Sequence, residues 1–354
     1  MKRDPICHME VPEEQAYTAG YEGETYYFCS EGCRDRFLHS HPRKEPRTAY
    51  DLIIVGGGPA GITAAVYAAT LKIDTFVATA DLGGQAIDST KIKNYMGYDF
   101  ITGPELTEKF KAQLLHSNYV DHRICEVEKL EPFGDGYRAT LSDLTNYTAK
   151  AVILATGMSR RKLDVPGEEE FQRKGVFYGN IQDASFVQGK DAVVVGGGNS
   201  AMQIVETLLP SARHIHIVSD LPLSADASVL QRAAASHRVH RHEGYKVRRI
   251  EGNDTVERVV LHKLAEPEEQ ALDTSGVFIA IGLHPNTMLV AHLVDLNDRG
   301  EIAIAPDCAT SRAGLFAAGD VTSAYGKRII IAAGEGAKAA LAAKQYLLSL
   351  RESG

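Results

Sequence analysis

Apolar residues along this chain fall into short runs separated by glycine turns and by stretches of helical spacing. Asp51 to Gly61, DLIIVGGGPAG, is an apolar run that ends in glycines, and ITAAVYAAT follows at once with small residues at helical spacing. The pattern predicts a strand, a tight turn and a helix. Ala192 to Ala201, AVVVGGGNSA, repeats it. Further strands are expected at Asp74–Ala78, at Ala151–Gly157 (AVILATG, ending in a turn), at Gly276–Asn286 (GVFIAIGLHPN, one exit strand) and at 315–321 (LFAAGDV, ending at Asp320). Ile329 to Leu350 reads as a long alanine-rich helix. This alternation predicts a doubly wound α/β fold from Tyr50 onward. Residues 1–46 differ. DPICHMEV reads as a turn and short strand, and ETYYFC as a second strand. Ser30 then caps a helix, EGCRDRFLHS, which His41-Pro42 stops, and Arg43–Arg47 is a linker.

The chain has 354 residues, room for two or three domains with their own cores. Its 44% hydrophobic and 24% charged content is that of a globular protein. A net charge of −8 argues against non-specific nucleic-acid binding. No run reaches the length of a membrane span, and MKRDPICHME lacks the apolar centre of a signal peptide, so a cytoplasmic protein is expected. Three of the five cysteines lie at Cys7, Cys29 and Cys33, a pattern of metal or redox chemistry rather than a disulfide framework.

Gly56, Gly58 and Gly61, with Pro59 and Ala60 between them, fit G-x-G-x-x-G between a strand and a helix. The glycines allow a tight turn and close approach of backbone to a pyrophosphate, which the helix N-terminus then favours. Gly196, Gly198, Asn199, Ser200 and Ala201 form the second loop. Two such folds in one chain imply a flavoprotein with a pyridine-nucleotide domain. The expected fold class is α/β, with two Rossmann-like dinucleotide-binding domains behind a small α+β module. The expected boundaries are 1–46 for the cysteine module, 47–160 and 285–354 for the FAD domain, and 161–284 for the inserted NAD(P) domain.

Cys29 and Cys33 flank a helix start, whose field lowers thiol pKa and favours thiolate. With Cys7 they suit a soft or borderline ion such as zinc or copper, completed by His8, His39 or His41; three structural thiols is the alternative. His237, His240 and His242 cluster in SHRVHRHEGY, with His240 and His242 on one strand face; an ordinary exposed strand is the reading and a metal site the alternative, and Cys125 and Cys308 read as buried small hydrophobes.

DPICHM, YYFCSEGC and the phenylalanine before His41-Pro42 resemble the YHS domain, which implies a role in heavy-metal handling. From about 50 to 351 the chain resembles the low-molecular-weight thioredoxin reductases. That resemblance implies FAD, held by the first glycine loop, by Gly83-Gly84-Gln85 and by the block containing Asn94. It also marks Ala155-Thr156-Gly157 as a domain crossover, Gly319-Asp320 as the ribityl contact and Arg328-Ile329 as the pyrimidine edge. Homodimerisation is implied as well. The family's Cys-x-x-Cys is missing: Gly179 and Gln182 stand at its positions, Asp183 matches the aspartate that follows, and no C-x-x-C occurs in the chain. Asp183 is a candidate proton relay or a helix cap. The arginines that read an NADPH 2′-phosphate are missing too. Asp220 lies at the usual separation from Ala201 for an NAD-type acid, with no arginine following the strand, so NADH is expected over NADPH. The leading reading is an NADH- and FAD-dependent oxidoreductase that serves an unidentified protein, metal or small-molecule acceptor. A redox or metal sensor and a ferredoxin-type NAD(P) reductase are the alternatives.

Overall fold

The computed structural model describes residues 2–21, 24–40, 47–89, 91–115, 119–179, 184–234, 236–266 and 268–352. It divides into two compact units, Met1–Ala49 and Tyr50–Gly354.

The first unit runs β1 (Lys2–Arg3), β2 (Glu10–Val11), β3 (Tyr17–Tyr21), β4 (Glu24–Phe28) and α1 (Glu31–Ser40). The β3 strand has no clear sequence signal, because a Gly and an Ala break its apolar pattern; it pairs antiparallel with β4, Tyr17 opposite Phe28. The core is small. Ala19, Phe28 and Phe37 are buried, and the Phe28 and Phe37 rings lie 5.1 Å apart. Ser30 does cap α1, its Oγ accepting from the Cys33 amide at 3.2 Å.

The second unit opens with β5 (Ala49–Val55), α2 (Pro59–Thr70), β6 (Thr75–Thr79), α3 (Gly103–Leu115) and β7 (Val120–Ile124). An antiparallel meander follows, β8 (Val127–Phe133), β9 (Gly136–Leu141) and β10 (Asn146–Leu154). The inserted half contains β11 (Met158–Arg160), β12 (Val176–Tyr178), β13 (Ala192–Val195), α4 (Asn199–Leu208), β14 (Ile215–Ser219), α5 (Ala227–Ala234) and β15 (Val239–Glu243). It continues through β16 (Tyr245–Gly252), β17 (Val256–Lys263), β18 (Glu269–Asp273) and β19 (Gly276–Ile279), and β20 (Leu283–Pro285) leads out. The chain closes with β21 (Leu315–Ala317) and α6 (Ile329–Glu352).

The strands order as β7-β6-β5-β10-β9-β8 with β21 on β10, and as β12-β19-β13-β14-β15 in the inserted half, beside a three-stranded β16-β17-β18 sheet. Both nucleotide-type sheets explain their continuous apolar runs. In β5, Leu52 and Ile54 face one buried cluster while Ile53 and Val55 face another. In β13, Ala192 and Val194 face one cluster, and Val193 and Val195 the other. A parallel strand covered on both faces cannot alternate with polar residues.

Two expected strands end elsewhere. GVFIAIGLHPN divides into β19 and β20, with Gly282 at φ +95° between them, because the two pieces serve different sheets. LFAAGDV stops at Ala317, so Gly319 and Asp320 lie in a turn. Cys308 is buried as expected, but Cys125 is half-buried, 3.1 Å from the Ser142 hydroxyl. Among the described residues no helix is long and apolar enough to cross a membrane.

Candidate functional site

The two glycine loops have closely matched geometry. Gly56 sits at φ +111°, where a Cβ would lie 2.3 Å from the Ala155 carbonyl oxygen; Gly196 sits at φ +133°, where a Cβ would lie 2.4 Å from that of Ala280. Each loop therefore presses against the end of the adjoining sheet, and only glycine fits. The middle glycines do the opposite. Added Cβ atoms at Gly58 and Gly198, the N-caps of α2 and α4, would meet nothing within 4 Å, and neither cap carries a side-chain hydrogen bond. Each cradle thus offers open space in front of uncapped helix N–H groups, the donor set that a pyrophosphate needs. Pro59 at the start of α2 gives up only an N–H that a helix leaves unpaired. In the second loop Asn199 is tied to the following segment, accepting from the Asp226 amide at 2.9 Å, and Ser200 is exposed while Ala201 is buried.

Of the blocks expected at the flavin, Gly83–Gly84, Ala155 and Gly319 pack against the first cradle. The Gly83 amide donates to the Gly57 carbonyl at 2.7 Å, the Gly84 amide to Asp81 Oδ1 at 2.7 Å, and Gln85 Nε2 to the Met158 carbonyl. Gln85 therefore ties this turn to the crossover. There β11 and β20 pair antiparallel, and Asn286 clamps Thr156 from both sides: Thr156 Oγ1 donates to the Asn286 carbonyl at 2.8 Å and Asn286 Nδ2 to the Thr156 carbonyl at 2.8 Å. Asn94 is exposed on a loop that lines a concavity with Ile330, next to Ile329 at the start of α6. Arg328 is also exposed, its Nη1 donating to the Lys327 carbonyl at 2.9 Å.

The Gly319–Thr322 turn is held by a residue that belongs to no sequence motif. Glu335 is buried in α6, and its Oε2 accepts from the Gly319 amide at 2.7 Å and the Thr322 hydroxyl at 3.1 Å. A buried carboxylate is tolerated through such partners. Burial pushes the neighbouring Asp320 carboxyl up, against the opposing charges of Lys327 and Arg328. One sequence signal does mark Glu335: it is a single acid among Ala332, Ala333, Ala339 and Ala340 on the buried stripe of an alanine-rich helix.

At the position of the absent thiol pair, Gly179 adopts φ +71°, and a Cβ there would lie 3.9 Å from Arg160 Nε. Arg160 in turn reaches Asp88 at 3.7 Å. Gln182 and Asp183 lie outside the described residues. Asp220 is exposed, but it has company that the sequence did not show: Lys246 Nζ, from β16, lies 3.7 Å from its Oδ2. A cation does stand near the end of β14, although it is not an arginine.

In the first unit Cys7, Cys29 and Cys33 come together. Their sulfurs lie 3.3 Å (Cys7–Cys29) and 3.7 Å (Cys29–Cys33) apart, and with a carboxylate oxygen of Asp4 all four ligand atoms fall within 4.8 Å of one another. Asp4 has no counterpart in the sequence expectations. It is fully buried, accepting from the amides of Ile6 at 2.8 Å, Cys7 at 3.2 Å and Cys29 at 2.8 Å, and so ties the two cysteine-bearing segments together. Burial alone would raise its carboxyl; those donors outweigh burial and hold it well below the usual range. The expected lowering of the cysteine pKa by the helix field is not what this geometry gives at Cys29. The Asp4 carboxylate, followed by the Cys7 thiol, pushes the Cys29 thiol up to about 12. A metal cation among the sulfurs would reverse that balance. His8 is exposed, His41 lies outside the described residues, and the described cluster includes no histidine.

Known proteins share both units. A family model described as pyridine nucleotide-disulphide oxidoreductase matches residues 50–342, and a YHS domain model matches residues 3–44. The F component of the alkyl hydroperoxide reductase of Staphylococcus epidermidis is 34% identical over 300 residues, covering 84% of this chain and 59% of that protein. A protein named NADH dehydrogenase in Bacillus subtilis is 35% identical over 306 residues, covering 86% of this chain and 59% of its own length. The chain thus spans well under two thirds of the length of these curated relatives. Among solved structures, thioredoxin reductase from Streptococcus pyogenes superposes with a TM-score of 0.68 at 36% identity, over 85% of this chain and 99% of that one.

Proposed function

The chain belongs to the pyridine nucleotide-disulphide oxidoreductase family, and on that premise we propose that it passes electrons from NADH through FAD to an acceptor other than an internal cysteine pair. The observation that carries this reading is the pair of open, uncapped helix N-termini at Gly58 and Gly198, combined with a glycine at 179. Residues 47–160 and 285–354 are assigned to FAD, and 161–284 to the nicotinamide nucleotide. In this reading the amides after Gly58 receive the flavin pyrophosphate, Asp320 accepts from ribityl hydroxyls, and Gly83 to Gln85 with Asn94 and Arg328-Ile329 line the cofactor. Bound FAD supplies the two-electron relay between nicotinamide and acceptor. FAD is expected to copurify at about one per chain. A colourless protein that stays colourless when incubated with FAD would overturn the assignment.

Glu335 is a positioning residue in this scheme. Glu335→Ala leaves the Gly319 amide without its acceptor, a loss of about 1–3 kcal/mol, so FAD affinity should fall about 10-fold or more. Fluorescence titration of the apoprotein measures this, and an unchanged affinity would remove Glu335 from the site.

The donor preference rests on Asp220, which accepts from a ribose 2′-hydroxyl and repels a 2′-phosphate. The relative named NADH dehydrogenase supports this choice. Lys246 softens it, since an exposed ion pair is worth about 0–1 kcal/mol. NADH should win on kcat/KM, Lys246→Ala should widen the margin, and Asp220→Arg should reverse it. Wild-type preference for NADPH would contradict the assignment.

In the first unit, Cys7, Cys29 and Cys33 are proposed to bind a soft or borderline metal ion such as zinc or copper(I), with Asp4 setting their spacing. Homodimerisation, taken from the family resemblance, is part of the same proposal, and sedimentation checks it.

A further inference from the structure

We propose that His216 and His242, flanked by His214 and His240, form a second metal site for a borderline divalent cation of the zinc, nickel or copper(II) class. It lies on the β14–β15 edge of the inserted sheet, in a different unit from the three thiols.

The strands are parallel, with His216 opposite His240 and Val218 opposite His242. Side chains two apart along extended chain share a face, so His216 on β14 and His214 just before it meet His240 and His242 of β15. The imidazoles pair diagonally across the strands. His216 Nδ1 lies 3.0 Å from His242 Nε2, and His214 Nδ1 lies 3.2 Å from His240 Nε2. The rings of His216 and His240 stack between the pairs, with centroids 5.0 Å apart.

Two nitrogens bound to one metal at about 2.0–2.1 Å lie roughly 2.8–3.4 Å apart for bond angles between square and tetrahedral. Both pairs have that bite. Imidazole is a ligand that zinc, nickel and copper(II) accept readily. In each pair one facing nitrogen carries the hydrogen of the N···N contact, and a tautomer shift that moves it to the outer ring nitrogen presents both facing lone pairs to a metal. The surroundings neither neutralise nor crowd the pairs. Asp191, whose charge reaches His214 and His216, is held by Arg213 through two hydrogen bonds of 2.8 and 2.7 Å. Tyr245 closes the inner end edge-on to His242, and Gln270 from β18 bonds to His242. Among the described residues three or more ligand atoms converge only at the thiol cluster, so each histidine pair supplies two donors and leaves the rest of the shell to water. That coordination is open and exchangeable, and it bridges the edge strand to the strand that ends beside Asp220.

The test uses the full chain with Cys7→Ser, Cys29→Ser and Cys33→Ser, so that the thiols do not compete, and cobalt(II) as the probe. Binding should appear as weak visible cobalt bands without sulfur-to-metal charge transfer. Adding His216→Gln and His242→Gln should weaken it about 10-fold or more, while His237→Gln on the same segment leaves it unchanged. Retained flavin colour and circular dichroism show that the variants are folded. If the double variant does not fold, His242→Gln alone carries the comparison. Absence of cobalt binding in the triple-serine protein, or binding indifferent to His242, would overturn the site and leave the pairs as hydrogen-bonded neutral imidazoles.

Discussion

Thioredoxin-linked disulfide reduction by this chain is expected to be at background with either NADH or NADPH. The family's route needs a sulfur pair that takes electrons from reduced flavin and then exchanges thiols with the partner. Glycine at 179 has no side-chain atom, and the amide of Gln182 accepts neither electrons nor a disulfide. Loss of a covalent relay of this kind costs on the order of 10⁴-fold or more. Restoring the sequence should not restore the rate. Gly179 holds φ +71°, a conformation that costs a residue with a Cβ about 1–3 kcal/mol, so a cysteine there is strained. Gly179→Cys with Gln182→Cys should therefore be less stable than the parent and remain far below a true reductase. Robust thioredoxin reduction by the native chain that survives Cys29→Ser and Cys33→Ser would contradict this account.

The second large effect is expected in the first unit. Among the described residues its buried apolar side chains are Val11, Ala19, Phe28 and Phe37, too little apolar surface to hold two strand pairs and a helix securely. Metal held by Cys7, Cys29 and Cys33 would contribute folding free energy directly, on the order of 10 kcal/mol for a structural zinc site. Chelation should open amide exchange throughout residues 1–46 and leave the flavin spectrum intact. Elemental analysis should find metal in the native protein and none after triple serine substitution. Asp4→Ala should act almost as strongly, because three amides lose their acceptor and the two cysteine-bearing segments separate. A unit that stays ordered and metal-free after chelation would leave three structural thiols as the better description.

Features that depend on neighbours in the chain were legible in the sequence. The two glycine loops combine an apolar run, a turn and small-residue spacing within a dozen positions, and α1 and α6 begin at Glu31 and Ile329, the residues that open the expected helices. The illegible features are long-range. Asp4 reads as a turn residue, and its value comes from Cys29, a contact across the fold. Lys246 meets Asp220 only because β16 returns past the end of β14. His240 and His242 read as an exposed strand because their partners, His216 on β14 and His214 just before it, belong to a segment whose neighbour no local pattern identifies. Glu335 is nearer to reach, as a lone acid on an apolar helical stripe, but its donors lie in a turn whose sequence reads as strand.

The central claim is electron transfer from NADH to a flavin held in the first cradle. Anaerobic titration of the purified yellow protein with NADH, followed at the flavin absorption band, tests it most directly. The account predicts rapid bleaching with about one NADH per flavin, slower or weaker with NADPH, and unaffected by serine at Cys7, Cys29 and Cys33. A flavin that stays oxidised under excess NADH and NADPH would contradict it.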